Sequence, residues 1–159
     1  MATIIAALIA ALVATFGYMV AARAKLLEGR RNTYAEALAA VYAYQELPYR
    51  IRRRPDSSAA TRGELGKAIS EVQRDLDFHT SLIRLDSPQL GDAYDALVQA
   101  SRENGKEYRD NAWEQAPAQG DLAMGFPEIY MYDDEAEVEL CIKRMRQHLR
   151  LLPLSWNRR

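Results

Sequence analysis

The chain has 159 residues, a net charge of −1 and a charged fraction of 27%. This composition excludes a disordered chain, and it gives no overall basic charge that would attract nucleic acid, so no nucleic-acid partner is expected. A single cysteine, Cys141, excludes an intramolecular disulfide and a thiolate metal cage built from one chain.

The first segment is the most distinctive feature of the sequence. Residues 2–22 contain no charged side chain, and a helix of that length spans roughly 31 Å, which matches the hydrocarbon core of a bilayer. A cleaved signal peptide is one alternative, although no basic residue precedes Arg23. A buried core helix is another. The sequence favours a transmembrane helix over residues 1–22.

The orientation of this helix follows from its flanks. Arg23, Lys25, Arg30 and Arg31 all follow the apolar segment, and no basic residue precedes it. By the positive-inside rule, the N-terminus lies outside and residues 23–159 form a cytoplasmic domain. The expected location is therefore the plasma (inner) membrane, with a single pass.

Small residues recur along the apolar segment. Ala6, Ala10 and Ala14 repeat at four-residue spacing, and such a face lets two membrane helices approach closely. The spacing is consistent with a homo-oligomer. The alternative is that an alanine-rich composition produces the repeat without any pairing.

The remaining chain has helical periodicity and no competing strand pattern. The predicted fold is all-α: the transmembrane helix continues to about Glu46 and leads into an antiparallel bundle of about four helices. The further predicted segments are a connector over 47–57, a helix from Ser57 or Ser58 to Leu85, a helix from Pro88 to Gln115, a packed irregular loop over 116–132, and a last helix that Asp133 or Asp134 begins and Pro153 ends.

Candidate catalytic and metal-binding residues are few. Asp75 and His79 share one helical face at i and i+4 and are the only candidate metal ligands. The alternative is that His79 belongs to the apolar seam of its helix and is hydrogen-bonded to Asp75 or to a partner helix. The seam is formed by Leu65, Ile69, Val72, Leu76, His79 and Ile83. Arg144 and His148 lie too close together for the Arg–His motif of one class of helical ribonucleases. Cys141 lies beside the apolar stripe of the predicted last helix, which predicts a buried inert thiol. That stripe contains Val138, Ile142, Met145, Leu149 and Leu152. No catalytic residue and no cofactor are predicted.

Two surfaces are predicted to make contacts. The basic connector contains Arg50, Arg52, Arg53 and Arg54, and its interpretations are a solvated loop, a membrane contact or pairing with the acidic segment 128–139. The second is an interaction surface for an unknown protein partner, formed by Met124, Phe126, Tyr130, Tyr132, Asp133, Asp134 and Glu135.

Four short stretches carry a resemblance. They are the residues 34–38 (YAEAL), 46–54 (ELPYRIRRR), 93–98 (AYDALV) and 112–113 (AW). In these stretches the chain resembles uncharacterised small single-span membrane proteins of actinobacteria and their phages, in which an N-terminal span leads into such a segment. The resemblance implies the same architecture and supplies no catalytic residue.

Three functional hypotheses follow. The leading one is a membrane-anchored helical interaction or scaffold protein, as a monomer or a homo-oligomer. The chain combines an anchor with segregated charge and has no recognisable catalytic site: residues 116–140 hold seven acids and no base, and residues 141–159 hold six bases and no acid. The second is a membrane-active phage-type protein, a lysis or superinfection component, which the alanine face would suit. The third is a metal-dependent enzyme at Asp75 and His79.

Overall fold

The computed structural model describes residues 2–118 and 130–150, and within these ranges every regular element is a helix. The helices are α1 (Ala2–Gln45), α2 (Leu47–Arg52), α3 (Ala59–Asp86), α4 (Pro88–Glu114) and α5 (Glu135–Arg150). The predicted all-helical class and the long apolar N-terminal helix are confirmed. The chain divides into two compact units, Met1–Thr33 and Tyr34–Arg159.

The first unit is the apolar part of α1, and its large apolar side chains have no protein around them. The exposed side chains are Ile4, Ile5, Ile9, Leu12, Val13, Phe16, Tyr18, Met19 and Val20. Among the described residues, this helix alone is long and apolar enough to cross a membrane. That finding rests on length and composition, which an N-terminal signal sequence shares.

The second unit has one main hydrophobic core, to which all five helices contribute. The last three turns of α1 supply Tyr34, Ala37, Ala40, Val41 and Tyr44; the other buried members are Leu47, Leu76, Ile83, Leu90, Tyr94, Leu97, Val98, Cys141 and Met145. These side chains recur at steps of three and four residues within each helix, so each amphipathic face is turned inward.

Polar contacts between the helices give their directions. Arg102 bonds Asp77 and Arg84 bonds Asp95, at 2.7 and 3.2 Å, so α3 and α4 are antiparallel. His148, near the end of α5, contacts Tyr34 of α1. Asp134, just before the start of α5, accepts a hydrogen bond from Gln45 at the end of α1. The last three turns of α1 are therefore antiparallel to α5.

Two predicted helix starts are confirmed. The hydroxyl of Ser58 accepts a hydrogen bond from the Thr61 amide at the start of α3, and the hydroxyl of Ser87 accepts one from the Leu90 amide at the start of α4. Each cap satisfies an amide that the first helical turn leaves without a backbone partner. Pro88 follows Ser87 and lacks an amide hydrogen, which suits the first turn of α4.

The first half of the predicted connector, 47–57, is the helix α2. α1 ends at Gln45, and Pro48 lies in the first turn of the new helix. Leu47 and Ile51, one turn apart, are both fully buried. Burial of this pair stabilises a helix that is too short to form by itself in water. Of the predicted loop over 116–132, residues 119–129 lie outside the described residues.

Candidate functional site

Asp75 and His79 occupy different environments, although they lie one turn apart on α3. The carboxylate of Asp75 is exposed and lies 4.0 Å from the guanidinium of Arg74. His79 is buried, its ring meets Phe78 edge-on, and its Nδ1 has no hydrogen-bond partner. Within the described ranges, no group of three or more His, Cys, Asp or Glu residues gathers where it could hold a metal.

His148 takes part in a polar cluster that the sequence did not predict. Its Nδ1 lies 2.6 Å from the hydroxyl of Tyr34 and 3.4 Å from the carboxylate of Asp86, and the same hydroxyl donates to Asp86 at 2.8 Å. The three side chains come from α1, the end of α3 and the last turn of α5. They tie these three helices together at one end of the second unit.

The hydrogen bonds of this cluster constrain one another. A tyrosine has one hydroxyl proton, so if Tyr34 donates to Asp86, it accepts from an N–H at Nδ1 of His148. In the described part of the chain no Ser, Thr or Cys side chain is hydrogen-bonded to His148. The contacts join the ends of α3 and α5 to α1.

Two of the four connector arginines lie inside the protein. Arg54 is 4% exposed and Arg52 is 8% exposed, whereas Arg50 and Arg53 are exposed. Arg53 forms a 2.8 Å ion pair with Glu46. The four arginines of the predicted basic connector are therefore divided between the interior and the surface of the protein.

Arg54 binds the C-terminal end of α4. Its guanidinium donates to the carbonyl oxygens of Ala112, Trp113 and Gln115, and also to that of Ile51. The last carbonyls of a helix have no partner within the helix and carry a partial negative charge. The side chain thus supplies the hydrogen bonds and the charge that this helix end requires. No ion pair joins the connector to residues 130–139, the described part of the acidic segment whose pairing was one of the three interpretations.

The predicted interaction surface is likewise divided between interior and exterior. Tyr130 and Asp134 are buried, and Tyr132 is half-buried, while Asp133 and Glu135 are exposed; Met124 and Phe126 lie outside the described residues. Asp134 is internal because it accepts hydrogen bonds from Gln45 and Ser101, at 2.5 and 3.0 Å. A buried carboxylate requires such donors.

The tyrosines near this segment pack on one another. The ring of Tyr108 meets those of Tyr130 and Tyr132 at centroid distances of 5.4 and 5.2 Å, and Tyr49 meets Tyr130 edge-on at 5.0 Å. Burial raises the pKa of the hydroxyl groups of Tyr130 and Tyr132. Among the residues that the structure describes, neither hydroxyl has a hydrogen-bond partner, which is unusual for buried tyrosine.

Two remaining features belong to the surface and to the core. An open groove of about 430 Å³ is lined by Glu103, Lys106, Glu107, Asp110, Asn111 and Glu114, all from α4. It is a furrow along one helix rather than a cleft between elements.

Cys141 is fully buried, as the sequence predicted, and burial raises the pKa of its thiol to about 11.

Phe78, Leu82 and Leu85 form an exposed apolar stripe on α3 that was not predicted from the sequence. These residues lie at i, i+4 and i+7, and Leu85 is 85% exposed. Their spacing was readable in the sequence as a second helical face, but the adjacent seam of Leu76, His79 and Ile83 shows the same periodicity.

Comparison of the chain with known proteins finds no matching family model, no matching curated protein and no matching solved structure.

Proposed function

We propose that this chain is a single-pass membrane protein whose second unit, an antiparallel bundle of four helices on the cytoplasmic side, binds a protein partner. The observation that supports the anchor is that the large apolar side chains described in the apolar part of α1 are all exposed. An apolar helix of this length that no protein covers has a higher free energy in water than in hydrocarbon, so transfer into a bilayer is favourable. The resemblance of four short stretches to small single-span membrane proteins favours the same architecture.

The binding role rests on how the polar residues of the second unit are used. Buried Arg54 and Asp134 and partly buried His148 bond to helix ends and to neighbouring helices, so these polar side chains hold the helices together. Asp133 and Glu135, the members of the predicted interaction surface that are exposed, together with the neighbouring exposed Met131, form the face that we assign to the partner.

Carbonate extraction of membranes tests the anchor. We expect the full-length chain to stay in the membrane pellet and a variant with Leu12→Lys and Val13→Lys to appear in the extract, because two charges near the centre of a span are costly. A matched control places lysines on α3, at exposed Gln73 and Ser81. Extraction of the unmodified chain would refute the anchor.

Thiol labelling tests the orientation. In a Cys141→Ser background, a cysteine introduced at exposed Ser81 should react with a membrane-impermeant reagent only after the cells are opened. A cysteine placed at Thr3 should react in intact cells. The reverse pattern would place the second unit outside and would contradict the assignment from the basic flank.

Charge reversal tests the partner face. Asp133→Lys with Glu135→Lys should remove a protein that is cross-linked to the chain in native membranes, and Glu103→Lys with Glu107→Lys on α4 should not. Both pairs change the net charge equally, so the comparison separates a specific surface from general electrostatics. Equal retention by both variants would exclude this face as the binding surface.

A further inference from the structure

The second half of α5 carries a face of exposed basic side chains. Lys143, Arg146 and Arg150 lie at i, i+3 and i+7, so they share one side of the helix, and all three are exposed. The opposite side packs into the core through Cys141 and Met145. The helix dipole favours bases only in the last turn, where Arg150 lies, and the other two bases precede that turn. The dipole alone therefore does not account for this basic face of α5.

The basic face of α5 lies at the end of the second unit where the chain enters it. Tyr34 is the first residue of that unit, and its hydroxyl lies 2.6 Å from Nδ1 of His148, in the last turn of α5. The same nitrogen lies 3.4 Å from the carboxylate of Asp86, at the end of α3. The preceding residue, Leu85, is 85% exposed. Exposed bases and an exposed apolar side chain are therefore found at the same end of the unit as Tyr34.

The acids described at this end lie near other bases. Asp92 and Asp95 lie 3.9 and 3.2 Å from the guanidinium of Arg84, and Asp86 lies beside His148. Among the described residues, none of the ion pairs involves the basic face of α5. Residues 141–159 contain six bases and no acid. This end of the unit therefore presents positive charge to its surroundings.

A short stretch of chain joins this end to the apolar segment. Only the eleven residues 23–33 separate residue 22 from Tyr34, and a chain of that length reaches no more than about 40 Å even when it is fully extended. If residues 2–22 span a bilayer, Tyr34 stays within that distance of the membrane surface. Such a tether keeps the effective concentration of headgroups high for the parts of the second unit that can face them.

We propose that the basic face of α5 binds the anionic headgroups of the bilayer in which the chain is anchored. Bases on an amphipathic helix attract anionic lipid, and each base near the surface favours contact by about fivefold. Leu85 adds an apolar contact with the interfacial region. The proposal rests on the membrane anchor, which supplies the proximity, and it assigns the Tyr34 end of the second unit to the side that faces the lipid.

Headgroup quenching in reconstituted membranes tests this surface. The full-length chain, in a Cys141→Ser background, carries a fluorophore on a cysteine introduced at exposed Gln147, beside Arg146. The vesicles contain a phospholipid with a quencher on its headgroup, in phosphatidylcholine alone or in equal parts of phosphatidylcholine and phosphatidylglycerol. We expect stronger quenching with phosphatidylglycerol, and its loss at about 1 M salt, where the Debye length is about 3 Å. A fluorophore at exposed Asn111, in the last turn of α4, should be quenched equally in both vesicles.

Removal of the three charges tests which residues make the contact. A chain with Lys143→Gln, Arg146→Gln and Arg150→Gln should shift the equilibrium away from the headgroups by about a hundredfold, the product of three fivefold effects. Quenching at Gln147→Cys should then fall to its level in phosphatidylcholine. Arg146→Lys with Arg150→Lys should keep the contact, because attraction to headgroups depends on charge rather than on the guanidinium.

The matched control removes the same charge from another surface. Lys67→Gln, Arg74→Gln and Lys106→Gln change exposed positions on α3 and α4, and the quenching should be kept. Circular dichroism of every variant in the vesicles should show the helix content of the unmodified chain, because all the substituted side chains are exposed. A fall in quenching at constant helix content is then a loss of contact and not of fold.

Flotation with the vesicles and resistance to carbonate separate the two ways in which the idea can fail. A chain that carbonate releases from the vesicles would overturn the anchor and this surface with it. A chain that is inserted but equally quenched in both vesicles would leave the anchor in place and overturn the surface. Equal quenching of the unmodified chain and the triple glutamine variant, or an equal loss in the control variant, would also overturn it.

Discussion

At the scale of single residues, Arg54 has a position that its sequence context concealed. It belongs to a run of arginines that reads as a solvated or membrane-contacting connector, yet its guanidinium is enclosed and bonded to four backbone carbonyls. The planar fork of arginine can reach several acceptors at once, which the single ammonium of lysine cannot do in the same geometry. Arg54 is therefore part of the fold.

We predict that Arg54→Gln lowers the free energy of unfolding by about 3 kcal/mol, because buried carbonyls at the end of α4 lose their donors. Urea unfolding followed by circular dichroism measures this change. The matched control is Arg53→Gln, whose side chain is 43% exposed in its ion pair with Glu46, and it should cost about 0.5 kcal/mol or less. Equal losses in the two variants would contradict the internal role of Arg54.

The thiol of Cys141 gives a second prediction at this scale. Burial raises its pKa to about 11, so the reactive thiolate is scarce at pH 8 and is also shielded from reagents. We expect the folded protein to react with a thiol reagent only at the rate at which it unfolds. A cysteine at exposed Ser81, in a Cys141→Ser background, should react at once. Fast labelling of native Cys141 would show that the core opens readily.

At the scale of elements, the start of α3 depends on a short polar motif. The carboxylate of Asp56 accepts hydrogen bonds from the Ser58 amide and the Thr61 hydroxyl, at 2.9 and 2.7 Å. The hydroxyl of Ser58 in turn accepts from the Thr61 amide. The hydrogen bonds from Ser58 and Thr61 lower the pKa of Asp56 to about 2. The motif thus holds the helix start through an ionised group.

The lowered pKa sets the pH range in which Asp56 matters. Because the folded chain holds the carboxylate ionised, its stabilisation is present above the ordinary aspartate pKa and is lost as the pH falls through about 2. We predict that Asp56→Asn lowers the thermal midpoint at pH 7 and that the difference disappears toward pH 2. Exposed Glu64→Gln on the same helix serves as the control. A difference that persists at pH 2 would contradict the carboxylate's role.

The packing of α3 on α4 depends on the absence of a side chain at Gly91. A Cβ built there would lie 2.7 Å from the Cα of Arg84, so the two helices touch through their backbones. We predict that Gly91→Ala destabilises the chain by about 1–3 kcal/mol. Gly66→Ala on exposed α3 meets nothing within 4 Å and should stabilise it by up to about 1 kcal/mol, since alanine favours the helix. Chemical unfolding of both variants measures the contrast.

At the scale of the whole molecule, the two units differ in the exposure of their apolar side chains. The core of the second unit begins at Tyr34, and the exposed apolar side chains of the first unit are not part of it. A chain that begins at Arg31 should therefore be water-soluble, strongly helical by circular dichroism and cooperative in unfolding. Within it, Tyr94→Ala, at a fully buried position, should cost about 3–5 kcal/mol. A fragment without a cooperative transition would show that the second unit needs the first to fold.

The sequence determined the features that depend on local chemistry. The absence of charge over residues 2–22 predicts a long apolar helix, and Ser58, Ser87 and Pro88 predict where α3 and α4 begin, because caps act on amides within one turn. The periodic apolar stripe over Leu76 and Ile83 likewise identified the buried face of α3. These signals need no knowledge of which helices become neighbours.

Only the tertiary structure decided which polar side chains are internal. Arg52 and Arg53 are adjacent in sequence and equally charged, but one is enclosed beside α4 and the other is exposed beside Glu46. The same holds for Asp134, which is bonded to Gln45 and Ser101, and for His148, which meets Tyr34 and Asp86. A polar group can be buried only where distant residues supply its hydrogen bonds, and that supply depends on packing, not on local sequence.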